Sequence, residues 1–293
     1  MESVAPSCVI QGMGTVVENV RIARDTFRVR LEIPEIARSI RPGQFVMIRP
    51  GGATDPLLGR PFALYDVVSD TRGEAYAIDV VYLVIGRGTS ALSVVREGAR
   101  LPIWGPLGNG FGPSPDPRGP VLFIAGGIGQ TPFLALGRWW LGRCSYANET
   151  AGPGGATSVT LLYGVRTAEL AAGIDDFRDA GIEVELATDD GSRGHHGYVT
   201  ELLARRLALG QRPAKIVGCG PPGMLASLAH IATREDIPCD LSMENHMACG
   251  FGVCFSCVAP IRQADGSVDL RRVCVEGPIF SAKDVDFAVI ASH

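Results

Sequence analysis

Val121-Leu122-Phe123-Ile124-Ala125-Gly126-Gly127-Ile128-Gly129-Gln130-Thr131-Pro132 is the stretch on which the fold turns. Val121–Ala125 is a short, wholly apolar run, of a length and composition that suit a strand buried on both faces. A glycine-rich turn follows it. A helix is expected over 132–141, with Thr131 as its N-cap and Pro132 as its first residue. Gly126, Gly127 and Gly129 let the backbone approach a pyrophosphate at a helix N-terminus, where unpaired N–H groups favour an anion. The string is not G-x-G-x-x-G, because Pro132 stands where the last glycine would be, so an ordinary strand-to-helix turn is the alternative.

Downstream, strand and helix patterns alternate. Val159–Val165, Glu183–Ala187 and Lys215–Cys219 read as strands, and Val199–Leu209 and Pro222–Arg234 as helices. Such alternation predicts a parallel sheet with helices on its faces, an α/β nucleotide domain. Open sheets of this kind bind ligands at the C-terminal ends of their strands. Two more candidates fall there. In Val217-Gly218-Cys219-Gly220-Pro221-Pro222, Cys219 is expected beside a nicotinamide, with Gly220 and Pro221 in the same turn; a buried structural cysteine is the alternative. In Tyr163-Gly164-Val165-Arg166, Arg166 either meets an adenosine phosphate or solvates the sheet edge. Residues 148–158 are small and Gly-rich and read as a surface loop, as does His195-His196. Asn148-Glu149-Thr150 matches a glycosylation triplet, read as coincidence in a cytoplasmic chain.

Upstream, Phe27–Ile33, Phe45–Ile48, Phe62–Val68 and Ala77–Val84 are short and rich in β-formers, with Gly and Pro between them. They predict an N-terminal antiparallel β-barrel. Arg60-Pro61-Phe62-Ala63 opens one of its strands, and Gly86-Arg87-Gly88-Thr89-Ser90 opens a helix near Ala91–Val95. A guanidinium and a helix N-terminus both suit a pyrophosphate. Gly112-Pro113-Ser114-Pro115-Asp116-Pro117 reads as a linker. The expected division is 1–114 (β-barrel), 115–238 (α/β) and 239–293 (a small C-terminal module).

That module carries Cys249-x4-Cys254-x2-Cys257, then sixteen residues, then Cys274. This is the plant-type [2Fe–2S] spacing. Two sulfide-bridged irons need four converging thiolates, the first three from one tight loop, and Gly250 and Gly252 let that loop bend. About 50 residues bury too little core to be stable alone, and a ligated cluster supplies the deficit. A structural zinc site is the alternative, but such sites usually pair two C-x2-C knuckles and only one is present. His246 lies close by and reads as a hydrogen-bonding or surface residue.

Composition narrows the classes. Hydrophobic residues are 46% and charged residues 20%, so a packed core is expected rather than disorder. The net charge of −4 offers no basic stripe for nucleic acid. No run is long and apolar enough for a membrane span. Met1–Val9 lacks the basic and apolar regions of a signal peptide, which gives a cytoplasmic expectation with cysteines kept reduced.

The order of these pieces resembles the ferredoxin reductase superfamily. The resemblance is closest to the family of electron-transfer subunits of class 1B (NAD-dependent) dihydroorotate dehydrogenases. It is carried by Trp104-Gly105-Pro106-Leu107-Gly108-Asn109-Gly110-Phe111, Thr188-Asp189-Asp190-Gly191-Ser192, Met247-Ala248-Cys249-Gly250-Phe251-Gly252-Val253-Cys254 and Val273-Cys274-Val275-Glu276-Gly277-Pro278-Ile279-Phe280. It implies FAD in the barrel, NAD(H) in the α/β domain and a [2Fe–2S] cluster on Cys249, Cys254, Cys257 and Cys274. Arg60 would bind the FAD pyrophosphate, Pro61, Phe62 and Ala63 would lie along the flavin, and Gly88 and Thr89 would hold phosphate. Ala63 departs from the Ser or Thr often found there, so a side-chain hydrogen bond near flavin N5 is absent. The implied partner is an FMN-containing dihydroorotate dehydrogenase catalytic subunit, in a heterotetramer serving pyrimidine biosynthesis. Rival readings are the electron-transfer subunit of another NAD(P)H:ferredoxin oxidoreductase, hydrogenase or oxygenase system, and a zinc-stapled redox sensor.

Overall fold

In the computed structural model, residues 9–50, 56–112, 118–147 and 155–290 are described. The expected linker after Gly112 and the loop from residue 148 to 154 lie outside them.

The first unit is an antiparallel sheet. Its strands are β1 (Ile10–Ala23), β2 (Thr26–Glu32), β3 (Phe45–Ile48), β4 (Arg60–Ala63), β5 (Asp66–Ser69), β6 (Ala75–Leu83) and β7 (Arg100–Leu107). Two short helices interrupt them, α1 (Pro34–Ala37) and α2 (Arg87–Ser93). The spatial order is β4-β3-β7-β1-β2-β6-β5. The end strands β4 and β5 do not pair, so the expected barrel is a half-barrel. Alternation sets its faces: in β2, Val29 and Leu31 point into the core, while Arg28 and Arg30 point out. Arg30 clasps Asp79 of β6 through two 2.8 Å hydrogen bonds. The strand expected over 62–68 is two strands. β4 pairs with β3 and β5 with β6, so the chain crosses the sheet between Ala63 and Asp66.

The second unit runs β8 (Gly119–Gly126), α3 (Phe133–Trp140), β9 (Ala156–Val165), α4 (Ile174–Asp179), β10 (Glu183–Thr188), β11 (His195–His196), α5 (Val199–Ala208), β12 (Lys215–Cys219), α6 (Pro222–Arg234) and β13 (Cys239–Ser242). The C-terminal part adds β14 (Val258–Arg262), β15 (Val268–Arg272), β16 (Ile279–Ser281) and α7 (Phe287–Ile290). The second sheet has the order β11-β10-β9-β8-β12-β13-β16, parallel but for β16. Helix α6 shows why such elements form. Pro222 supplies a preset first-turn φ, and Leu225, Leu228, Ala229 and Ala232 fall on one buried face. Each buried leucine contributes about 1.5–3 kcal/mol.

Three expectations are corrected here. Cys239–Ser242, assigned above to the C-terminal module, is a parallel strand of the nucleotide sheet beside β12, and β16 returns from the module to cap that edge. His195-His196 is a two-residue strand on β10 rather than a loop. Ala156–Ser158, read as the end of a loop, already belongs to β9.

Two apolar cores result. One joins the half-barrel to the α3 face of the second sheet, with Phe123, Phe133 and Trp140 packed together. The other gathers the α5–α6 face, the C-terminal module and Phe45, Met47 and Leu107 of the half-barrel. Strand β3 serves both: Val46 and Ile48 face the first core, Phe45 and Met47 the second.

Candidate cofactor site

Arg60 stands at the start of β4, opposite Ile48 of β3. Its guanidinium donates to the carbonyls of Leu58 and Gly59 and lies against Gly88 in the first turn of α2. A Cβ on Gly88 would sit 3.2 Å from Arg60 Cγ and Nε. First-turn N–H groups have no intrahelical acceptor. Arg60 and the start of α2 thus converge on a place that fits a phosphate. The Thr89 hydroxyl accepts from the N–H of Ile85 at 3.0 Å and donates to the Gly86 carbonyl, closing the turn before the helix. Pro61 and Ala63 are half-buried on the other side of β4 from Phe62. Phe62 is 7% exposed and packs edge-on against Tyr82 in the half-barrel core. Of the residues expected along a flavin ring, Pro61 and Ala63 therefore keep accessible surface and Phe62 keeps little.

The nucleotide end is built by close backbone approach. The ends of β8, β9, β10, β12 and β13 align at one edge: Gly126 opposite Gly164, Val165 opposite Thr188, and Cys219 opposite Ser242. A Cβ on Gly129 would lie 2.2 Å from the Cys219 carbonyl oxygen, so only glycine lets the two turns meet. A Cβ on Gly126 would likewise lie 2.7 Å from Pro221 Cδ and from Met224 Sδ. Gly127 takes a positive φ of 57°, with open space beyond its Cα. This is a cradle a side chain would fill, and it fits a dinucleotide.

Two details of this turn differ from expectation. A short 3-10 turn, Gly127–Gln130, precedes the α-helix, so Pro132 is the N-cap and Phe133 the first helical residue. Thr131 is buried and caps nothing through its side chain. Cys219 is also buried, its thiol 3.8 Å from Glu244 Oε1. Burial, reinforced by the nearby Glu244 charge, holds that thiol far above its ordinary pKa. Arg166 is exposed at the same sheet edge, two strands from Cys219, and its carbonyl accepts from the Asp190 N–H at 3.2 Å.

The four cysteines are gathered in one place. Cys254 interacts with Cys249, and Cys274 with both Cys257 and Cys249; Cys254 is exposed, Cys249 half-buried, and Cys257 and Cys274 are buried. Hydrogen bonds from Ser256, and then from Cys249, lower the Cys254 thiol to about 6, whereas burial pushes Cys274 up to about 12. Gly250 and Gly252 have φ of 83° and 90°, and the Gly252 backbone donates to Cys274. Among the described residues no three ligating side chains converge on one point suited to a single ion. Four gathered thiols with a backbone donor to one of them suit a [2Fe–2S] cluster held by four thiolates. His246 is exposed and reaches the loop through its backbone, its carbonyl accepting from Ser256 Oγ at 3.3 Å.

Sequence reasoning missed the residues that tie the loop to the half-barrel. Trp104 Nε1 donates to the Cys249 carbonyl at 2.9 Å, and the Asn109 N–H donates to the Gly277 carbonyl at 2.6 Å. Both residues belong to a quoted string, but no periodicity marks them as contacts 145 residues or more from their partners.

Residues 244–286 match the iron–sulfur cluster binding domain of dihydroorotate dehydrogenase B. Among curated relatives, the dihydroorotate dehydrogenase B (NAD(+)) electron transfer subunit of Desulforamulus reducens is 35% identical over 90% of this chain and 94% of its own. That of Enterococcus faecalis is 35% identical over 94% and 98%. In three dimensions, a chain of an NADH-dependent reduced ferredoxin–NADP oxidoreductase superposes with a TM-score of 0.78, at 24% identity, over 100% of this chain and 94% of that one. An Amycolatopsis cytochrome P450 reductase gives 0.61 at 25% identity, over 77% and 66%.

Proposed function

This chain belongs to the family of dihydroorotate dehydrogenase B electron-transfer subunits, and from that premise we propose that it carries electrons between an FMN-bearing catalytic subunit and NAD. The observation that carries the reading is the gathering of Cys249, Cys254, Cys257 and Cys274 in a module packed against β3, the strand paired with the one that presents Arg60 and Ala63. When bound, FAD supplies the exchange between a hydride's two electrons and the single electrons a [2Fe–2S] cluster accepts. The residues supply the rest. Arg60 and the first turn of α2, with Gly88 and Thr89, hold the FAD pyrophosphate, and Pro61, Phe62 and Ala63 form the strand along the flavin. Gly126, Gly127, Gly129, Thr131 and Pro132 shape the nucleotide turn, Cys219, Gly220 and Pro221 close it from the neighbouring strand, and Arg166 reaches the adenosine end. Residues 1–114 form the flavin part and 115–238 the nucleotide part. The cluster part starts near residue 244, after the strand that 239–242 lends to the sheet.

The catalytic partner would cover the tip of the cluster loop. Phe251, Val253 and Phe255 are 50%, 72% and 60% exposed around Cys254, an apolar rim of the kind that marks a protein contact. We place the assembly at two copies of each chain and, because thiolate ligands need reducing surroundings, in the cytoplasm. No helix among the described residues is long and apolar enough to cross a membrane.

The test is a visible spectrum of anaerobically purified protein before and after NADH. Flavin bands and a broad iron–sulfur absorbance, both bleaching, are expected. Colourless protein containing zinc would overturn the reading. Co-expression with an FMN-bearing catalytic chain should yield a complex that reduces NAD with dihydroorotate. A complex that fails to form would remove the partner assignment and leave the carriers in place.

A further inference from the structure

Trp104 joins the two redox parts of the chain physically. It lies on β7, opposite Met47 of β3, and Met47 in turn lies opposite Pro61 of β4. At one end the indole is pressed on Gly59, the residue before Arg60: a Cβ there would stand 2.5 Å from Trp104 Cη2. At the other end Nε1–H donates to the carbonyl of Cys249, the first cysteine of the loop. The next residue, Gly250, is seated on the same strand pair, its would-be Cβ 2.6 Å from Met47 Cγ and 3.0 Å from Leu107 Cδ1. One rigid ring therefore spans the distance between the flavin strand and the cluster loop. Other side-chain hydrogen bonds of the loop, Ser256 to His246, Ala248 to Ser256, Cys254 with Ser256 and Arg272 to Gly252, are made within the module.

We propose that Trp104 is a positioning residue for electron transfer: its hydrogen bond to the Cys249 carbonyl fixes the cluster loop at a set distance and orientation from the flavin strand. The inference rests on the carrier order proposed above. An indole here fills space and satisfies a carbonyl at once, and Tyr and Trp are used where one end of a side chain is packed and the other needs a polar partner. The tunnelling rate between two carriers falls exponentially with their separation, so a loop released from the flavin strand slows that step and not hydride uptake. A residue that merely filled the seam would destabilise the protein without separating one electron step from the other.

The experiment compares the holoprotein with Trp104→Phe, which keeps a ring and loses the donor, and Trp104→Leu. Anaerobic stopped-flow with NADH follows flavin bleaching and cluster bleaching separately, with iron and flavin per chain quantified first. Amide exchange of Cys249–Val253 is measured alongside. Flavin reduction close to the parent rate is expected, with cluster reduction slowed several-fold in Trp104→Phe and more in Trp104→Leu. Faster exchange in the loop, with β4 unchanged, should accompany it. If Trp104→Leu does not retain its cluster, Trp104→Phe decides. Cluster reduction at the parent rate, or both reductions slowed together, would overturn the proposal. A parent protein whose cluster NADH does not reduce would instead bring down the carrier order.

Discussion

The half-barrel meets both neighbours through apolar cores, and the two seams differ in what is set into them. Against the nucleotide sheet the core that runs to α3 encloses a buried polar cluster. Asp66 of β5 is 8% exposed, accepts the Tyr146 hydroxyl at 2.8 Å and is ion-paired with Arg138 of α3. One residue earlier, Tyr65 donates to Asp176 at 2.7 Å and its carbonyl accepts from the Ala135 N–H. Against the cluster module the seam is largely apolar. Phe45, Met47 and Leu107 pack on Cys257, Val273 and Cys274, and Trp104 and Asn109 supply its hydrogen bonds. Hydrogen-bonded ion pairs are directional and tolerate little rotation, while apolar contact constrains distance more than angle. The first seam is thus suited to hold a nicotinamide turn at a fixed angle to a flavin strand, where hydride transfer needs orientation. The second holds its distance by packing and its loop by the Trp104 hydrogen bond, and it leaves the outer face of the loop exposed.

The largest effect should come from breaking the polar cluster. Asp66→Ala leaves the buried Tyr146 hydroxyl and the half-buried Arg138 guanidinium without their partner. Removing one member of a fully buried pair costs about 3–5 kcal/mol, and with the Arg138 side chain 34% exposed the loss should fall at the low end of that range. Urea unfolding of the flavin-loaded protein measures it, and nucleotide-dependent flavin reduction should fall with it. A loss below about 1 kcal/mol, the range of solvated surface pairs, would mean that the seam is wet and the contrast between the two is false.

A smaller effect is expected across the apolar seam. Gly250→Ala puts a Cβ at φ 83°, against Met47 Cγ. The left-handed conformation costs roughly 1–2 kcal/mol, and crowding a packed contact adds about 1–3 kcal/mol. Because the seam is non-directional, the strain should stay local: iron per chain falls while flavin per chain holds. Equal loss of both would show that the two seams act as one.

These seams also mark what the sequence discloses. Lys215–Cys219 and Pro222–Arg234 are legible to the residue, because a continuous apolar run and a period of 3.6 are local signals. The cysteine spacing is legible for the same reason. Asp66, Arg138 and Tyr146 are not, since each alone is an ordinary polar residue and the cluster exists only once β5 and α3 are packed. Cys239–Ser242 misleads because its fourth-residue length and nearby cysteines hide a strand whose partner, β12, is set by topology. Thr131 misleads because N-cap preference is a weak local rule, here overridden by the 3-10 turn that brings Gly129 against Cys219.

The smallest expected effect is a slope with pH, and it tests the sign of the balance inside the polar cluster. Burial raises the Asp66 carboxyl above its ordinary value, and this outweighs the opposing Arg138 charge and the Tyr146 and Val67 hydrogen bonds. In the window between the ordinary value, about 3.9, and the raised native one, the folded chain keeps a proton that the unfolded chain has lost. Stability then falls as pH rises through that window, since the unfolded state binds fewer protons. Asp66→Asn keeps an oxygen for Tyr146 and removes the titration, so its stability should lack this slope. Urea midpoints of the two proteins, compared from about pH 4 upward, isolate the term. If the parent instead gains on Asp66→Asn as pH rises, attraction to Arg138 dominates burial, and the seam is held by charge rather than in spite of it.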